Sequence, residues 1–77
     1  MKYRYYIFFR KVLSNKNQMY DMPANKVITR NAKISTKDDI IEIEKSIYDI
    51  EIIKAEKAEM TDLKIVLQDW KLLSKNK

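Results

Sequence analysis

Lys2-Tyr3-Arg4-Tyr5-Tyr6-Ile7-Phe8-Phe9-Arg10 holds five of the eight aromatic residues of the chain within seven positions. Apolar groups recur at both parities with cations threaded among them, the pattern of a β-strand whose two faces are both occupied. Extended over residues 1–13, the alternation places Tyr3, Tyr5, Ile7, Phe9 and Leu13 on one face. Arg4, Tyr6, Phe8, Arg10 and Val12 fall on the other. A strand this apolar is predicted at the centre of a sheet.

The rest of the chain arranges itself around that strand. Ser14-Asn15-Lys16-Asn17-Gln18 is a polar break, and Asn stands in for Gly where a turn needs positive φ. A second extended segment is predicted over residues 19–34. Pro23 cannot donate a ladder hydrogen bond, so this segment belongs at a sheet edge or carries a bulge. Its most regular part is Lys26-Val27-Ile28-Thr29-Arg30, rich in β-branched residues. Ser35 or Thr36 then caps a helix over residues 36–60, with Asp38 and Asp39 at the positive end of its macrodipole. Ile40, Ile43, Ile47 and Ile50 form its core stripe, flanked by Ile41 and Tyr48. A third strand is predicted over residues 63–73, followed by a frayed tail at 74–77.

These elements define an α+β chain of ββαβ order, a single domain over residues 1–77. Strands one and two form a hairpin, and the helix carries the chain across to strand three. The apolar strand takes the middle and the Pro-bearing strand an edge, giving a three-stranded antiparallel sheet of order 2-1-3 with one long helix on one face. One helix covers one sheet face only. The other is left to water, a partner or a second copy.

Composition narrows the chemistry. A domain of 77 residues has a modest core, worth roughly 3–5 kcal/mol unaided. There is no Cys and no His, so disulfides are absent and zinc, haem and iron–sulfur sites lack their usual ligands. The usual general base and thiolate nucleophile are missing as well. Without Gly there is no phosphate-cradling loop of the Walker or Rossmann kind. The expectation is a protein that is not an enzyme and holds no cofactor or metal; the adjacent acids Asp38 and Asp39 are read as helix N-terminal charges. The apolar run Tyr5–Phe9 is too short for a signal peptide, and no segment reaches the roughly 18–20 apolar residues of a membrane span. A cytoplasmic protein with no membrane partner is expected.

Charge is segregated along the chain. Residues 1–37 carry nine Lys or Arg and one acid, Asp21, whereas residues 38–62 carry nine acids and three Lys. Residues 63–77 return to four Lys and one acid. On the predicted fold the sheet is basic and the outer helix surface acidic. Glu42–Lys45 and Glu51–Lys54 are spaced as i, i+3 pairs along that surface.

Three segments carry a resemblance: Tyr3–Phe9 as opening strand, Lys37-Asp38-Asp39-Ile40-Ile41-Glu42-Ile43-Glu44-Lys45-Ser46-Ile47 as helix, and Lys64–Leu73, ending Asp69-Trp70-Lys71-Leu72-Leu73. With them the chain resembles small phage and prophage proteins of low-GC Gram-positive bacteria, built as hairpin, helix and final strand. Their hairpins often carry glycines, where this chain has Met22-Pro23-Ala24-Asn25. Such proteins often act by binding: some block host defence complexes, as anti-CRISPR proteins do, and others bind DNA or regulate transcription.

Together these features predict a non-catalytic inhibitor or adaptor. Its expected partner is a host protein or ribonucleoprotein complex, a CRISPR effector being one such target. The expected contacts are Arg4, Tyr6, Phe8 and Arg10, with Lys26 and Arg30 nearby. Aromatic and Arg side chains are favoured anchors at protein interfaces. Single-stranded nucleic-acid binding through the same face is the alternative, bases stacking on Tyr6 and Phe8. A structural homodimer that consumes the face is a third reading.

Overall fold

The aromatic segment forms β1 (Lys2–Ser14), the middle strand of the computed structural model, which describes residues 2–76. Around it lie β2 (Met19–Arg30), α1 (Lys37–Lys57) and β3 (Asp62–Asn76). The sheet has the order β2-β1-β3 with both neighbours antiparallel to β1, an α+β fold.

Alternation along β1 is realised as a sharp division. Tyr5, Ile7 and Phe9 are buried under α1 with Ile43 and Ile47 of the helix and Ile65 of β3, and Ile7 is fully inaccessible. Tyr3, Ala24, Ile28, Ile34, Leu63 and Leu67 pack around this centre. Lys11 has the same parity at the hairpin end, where its ammonium meets Glu51 of the helix at 3.3 Å. Arg4, Tyr6, Phe8, Arg10 and Val12 occupy the opposite face.

The hairpin joins β1 to β2 in one unbroken register, from Tyr3 opposite Arg30 to Ser14 opposite Met19. Pro23 is therefore accommodated at the sheet edge without a bulge. The turn does not use Asn for positive φ. Instead the Asn15 side-chain oxygen accepts from the N–H groups of Asn17 and Gln18, at 2.9 and 2.8 Å. The left-handed residue among those described is Glu59, with φ 62°.

β2 stops at Arg30 rather than running to residue 34. Residues 31–36 leave the sheet because the Ile34 N–H donates to the Tyr5 hydroxyl at 3.0 Å, drawing the chain over the sheet towards the helix start. Thr36 is the N-cap. Its hydroxyl accepts from the Asp39 N–H at 3.2 Å, while the Asp39 carboxylate accepts from the N–H groups of Ser35 and Thr36 at 2.9 and 3.0 Å. Asp39 is thus a capping group rather than half of an acidic pair with Asp38.

The helix ends in a Schellman motif, with Glu59 N–H donating to the Glu56 carbonyl and Met60 N–H to the Ala55 carbonyl. This places Glu59 where Gly is the usual residue. The Thr61 N–H then donates to the Ser14 carbonyl at 3.0 Å, tying the helix exit to the hairpin. The predicted core stripe is only partly buried. Ile43 and Ile47 are buried, but Ile50 is 46% exposed, and Ile41 and Tyr48 are exposed too. Ile50 lies roughly 60° round the helix from Ile47, and α1 leans towards β3 rather than β2. Glu42 reaches Arg30 rather than Lys45, whereas Glu51 and Lys54 do pair, at 3.8 Å.

β3 continues past the expected end at Leu73, and Ser74–Asn76 pair with Lys2–Arg4 where a frayed tail was expected; Lys77 lies outside the described residues. Its register with β1 slips by one residue at Gln68 and again at Leu73. Each slip is a bulge with an extra residue on β3.

Two consequences are measurable. Replacing Glu59 by Gly relieves a left-handed non-glycine conformation, and stability should rise by about 0.5–1 kcal/mol. That is a gain of a few degrees in thermal midpoint; no gain would mean Glu59 is held there without strain. The backbone N–H groups of Ser35 and Thr36, then the Thr36 hydroxyl and Arg30, lower the Asp39 pKa from 3.8 to about 2 against the opposing effect of burial. Asp39 therefore adds stability above about pH 4 that disappears as pH falls towards 2. The midpoint advantage of the native chain over Asp39→Asn should shrink across that window, and a constant difference would refute the assignment.

Candidate interaction face

The face of the sheet opposite α1 is covered by no other described element. Its central row is Arg4, Tyr6, Phe8, Arg10 and Val12 of β1. Register places Thr29, Val27, Asn25, Pro23 and Asp21 of β2 beside them in that order. On the β3 side stand Ser74, Lys71, Asp69, Val66 and Lys64.

The rings of Tyr6 and Phe8, two residues apart on one face, lie 4.8 Å between centroids at an interplanar angle of 46°. Phe8 is 41% exposed and Tyr6 half-buried, while Val27 and Val66 flank the row with exposed side chains. The result is an apolar centre between charged ends. Arg10 Nε meets Asp21 at 2.7 Å. Arg4 is exposed and has no ion-pair partner among the described residues, and the same holds for Lys71.

The face therefore carries Arg4, Arg10, Lys64 and Lys71 against Asp21 and Asp69. It is basic but mixed. Arg10 is neutralised by Asp21, which leaves Arg4 and Lys71 towards one end and Lys64 at the other without an ion-pair partner among the described residues.

Four of the six residues expected at the site are brought together here. Lys26 and Arg30 are not: they pair with Ile7 and Tyr3 of β1, and so share the helix-side face. Arg30 spans from β2 to the helix, its Nη2 3.0 Å from Asp39 and its Nη1 4.0 Å from Glu42. That arginine is committed to the fold. Lys26 lies in a groove between β2 and α1.

The open face also has members that residue order alone did not single out, namely Val27, Val66, Lys71 and Asp69. The last two face this way because of the bulge at Gln68. A visible signal existed in the sequence: apolar residues recur at 63, 65 and 67, then at 70 and 72. That phase jump of one is what a bulge produces.

Among the described residues no cluster of three or more His, Cys, Asp or Glu is placed to hold a metal ion. Nor is any helix among them long and apolar enough to cross a membrane. The chain matches no family model, no curated protein and no solved structure.

The division of β1 is testable by paired substitutions. Ile7→Ala removes a fully buried side chain and should cost about 2–5 kcal/mol, enough to unfold much of a domain this small. Phe8→Thr keeps strand propensity on the open face, with an expected cost below about 1 kcal/mol in chemical denaturation. Equal costs would mean that both faces are core.

Proposed function

We propose that this protein is a non-catalytic binding module, an inhibitor or adaptor that docks its open sheet face on a partner protein or ribonucleoprotein. The observation that carries the reading is the ring pair of half-buried Tyr6 and exposed Phe8 at the centre of a face that no other described element covers. Unpaired Arg4 and Lys71 stand at one end of it. Aromatic and Arg anchors with an apolar middle and a charged rim match the composition of protein interfaces.

Size supports the same reading. A monomer of 9.3 kDa exposes roughly 5,000 Å² by the usual scaling, against 5665 Å² here. The shape, 48 by 19 by 19 Å, accounts for the excess: the sheet is long and one side of it is unburied. A partner on the open face would cover the side of the sheet that α1 leaves to solvent.

Mixed charge favours a protein surface over single-stranded nucleic acid. Asp69 stands opposite Phe8, and Asp21 neutralises Arg10, so phosphates following the central row would pass two carboxylates. A partner with acidic groups near the Arg4–Lys71 end and apolar groups over Tyr6 and Phe8 fits better. The phage-type, anti-CRISPR context rests on the resemblance of core patterns alone, and the binding reading does not depend on it.

A folded Arg4→Glu/Phe8→Thr double variant should lose the proteins that the native chain captures from a host lysate. Undiminished capture removes this face from the account. Binding of a labelled single-stranded oligonucleotide, falling steeply as salt rises, would move the reading to nucleic acid. A dimer in sedimentation that the same variant dissociates would assign the face to a second copy.

A further inference from the structure

The two edges of the sheet are not equivalent. The Asn15 N–H donates to the Gln18 carbonyl at 2.9 Å, closing the hairpin. Counting outward from that pair, even-numbered residues of β2 exchange hydrogen bonds with β1, and odd-numbered ones turn their N–H and C=O groups to the outer edge. Pro23 falls in the odd set, so its missing N–H costs the sheet no bond. On the other side the same count turns Leu67 outward from β3, and its N–H indeed donates to Glu44 of the helix at 2.8 Å. With two bulges in addition, the β3 edge is blunted.

The β2 edge beyond Pro23 has no such cover. Asn25, Val27 and Thr29 are exposed and carry outward backbone groups with no bond outside the ladder. Beside them, on the helix side, runs a groove of about 270 Å³ where α1 leans away from β2. Its apolar lining is Ile28, Ile43, Ile47 and Ile50. Lys26 lines it too, half-buried and without an ion-pair partner among the described residues. Arg30, at the groove end, is already matched by Asp39 and Glu42.

We infer that β2 accepts an extended segment of a partner protein as a fourth strand along Asn25–Thr29. Alternate side chains of the segment enter the groove, apolar beside Ile28 and Ala24, acidic beside Lys26. Backbone bonds to the free edge give affinity, and the groove gives specificity. The acidic requirement follows from charge: Lys26 is the groove's one unmatched ion. The groove lies on the opposite side of the sheet from the Tyr6–Phe8 face, while the edge residues Asn25, Val27 and Thr29 turn their side chains to that face.

The probe is a fluorescent heptapeptide, Thr-Ile-Thr-Glu-Thr-Ile-Thr, titrated against the intact chain, with a Lys-for-Glu version as control. The Glu probe should bind at least ten times more tightly than the control, and Lys26→Glu should reverse that order. In amide exchange, Asn25, Val27 and Thr29 should exchange fast in the free protein and become protected by the probe. Lys26 and Ile28 should be protected throughout. Val27→Pro matches the parity of Pro23 and should abolish binding. If that variant fails to fold, N-methylation of the probe's edge-facing amides removes the same bonds and should have the same effect. Equal binding of both probes, or no gain in protection at the three odd positions, overturns the proposal. So does a free protein in which those amides are already protected in a concentration-dependent way, since a second copy then holds the edge.

Discussion

Side chains along β1 must alternate between the two faces of the sheet, and one of those faces has only one helix to bury it. Tyr5, Ile7 and Phe9 satisfy that constraint with Ile43, Ile47 and Ile65, and little else in the protein is fully buried. A slip of one residue would bring Arg4, Tyr6, Phe8 and Arg10 under the helix in place of Tyr5, Ile7 and Phe9, desolvating two cations and pulling Lys11 away from Glu51. The two Arg residues thus disfavour the slipped register, alongside the core. The open face is the other product of the same alternation.

Much of this was legible in the sequence because it depends on local chemistry. Pro23 marked an edge, Thr36 with Asp39 marked a helix start, and the aromatic run marked the centre of the sheet; order 2-1-3 follows from those three. What was not legible depended on registers and lean. Lys26 and Arg30 were expected near the row of Arg4, Tyr6, Phe8 and Arg10, but the hairpin pairing gives them the parity of Ile7 and Tyr3. Segment 31–34 looked extended, yet the Tyr5 hydroxyl draws Ile34 out of the strand. Ile50 matched a helical stripe whose burial also required knowing that α1 leans towards β3.

The absence of Gly is absorbed in two physical ways. At the hairpin, Asn15 satisfies the turn through its side-chain oxygen, so no residue there needs positive φ. At the helix exit no side chain can substitute, because the Schellman bonds require a left-handed residue between Ala58 and Met60. Glu59 takes that conformation, and bonds from Asn15 and Thr61 fasten the exit to the hairpin end. The strained residue and the turn are therefore parts of one knot at the same end of the molecule.

The lean of the helix links that fold to recognition. Glu44 draws α1 towards β3 by accepting the outward N–H of Leu67, which stands opposite Phe9 just before the bulge at Gln68. A single helix of ordinary width cannot also close the far side of a three-stranded sheet. Covering one edge therefore opens the groove at the other, and Arg30 bridges only its end. The open face and the β2 edge thus have separate origins, one in strand alternation and one in helix position. The groove and the open face lie on opposite sides of the sheet and meet at Asn25, Val27 and Thr29, whose side chains belong to the open face. An adaptor needs that arrangement; an inhibitor with one target needs only the first.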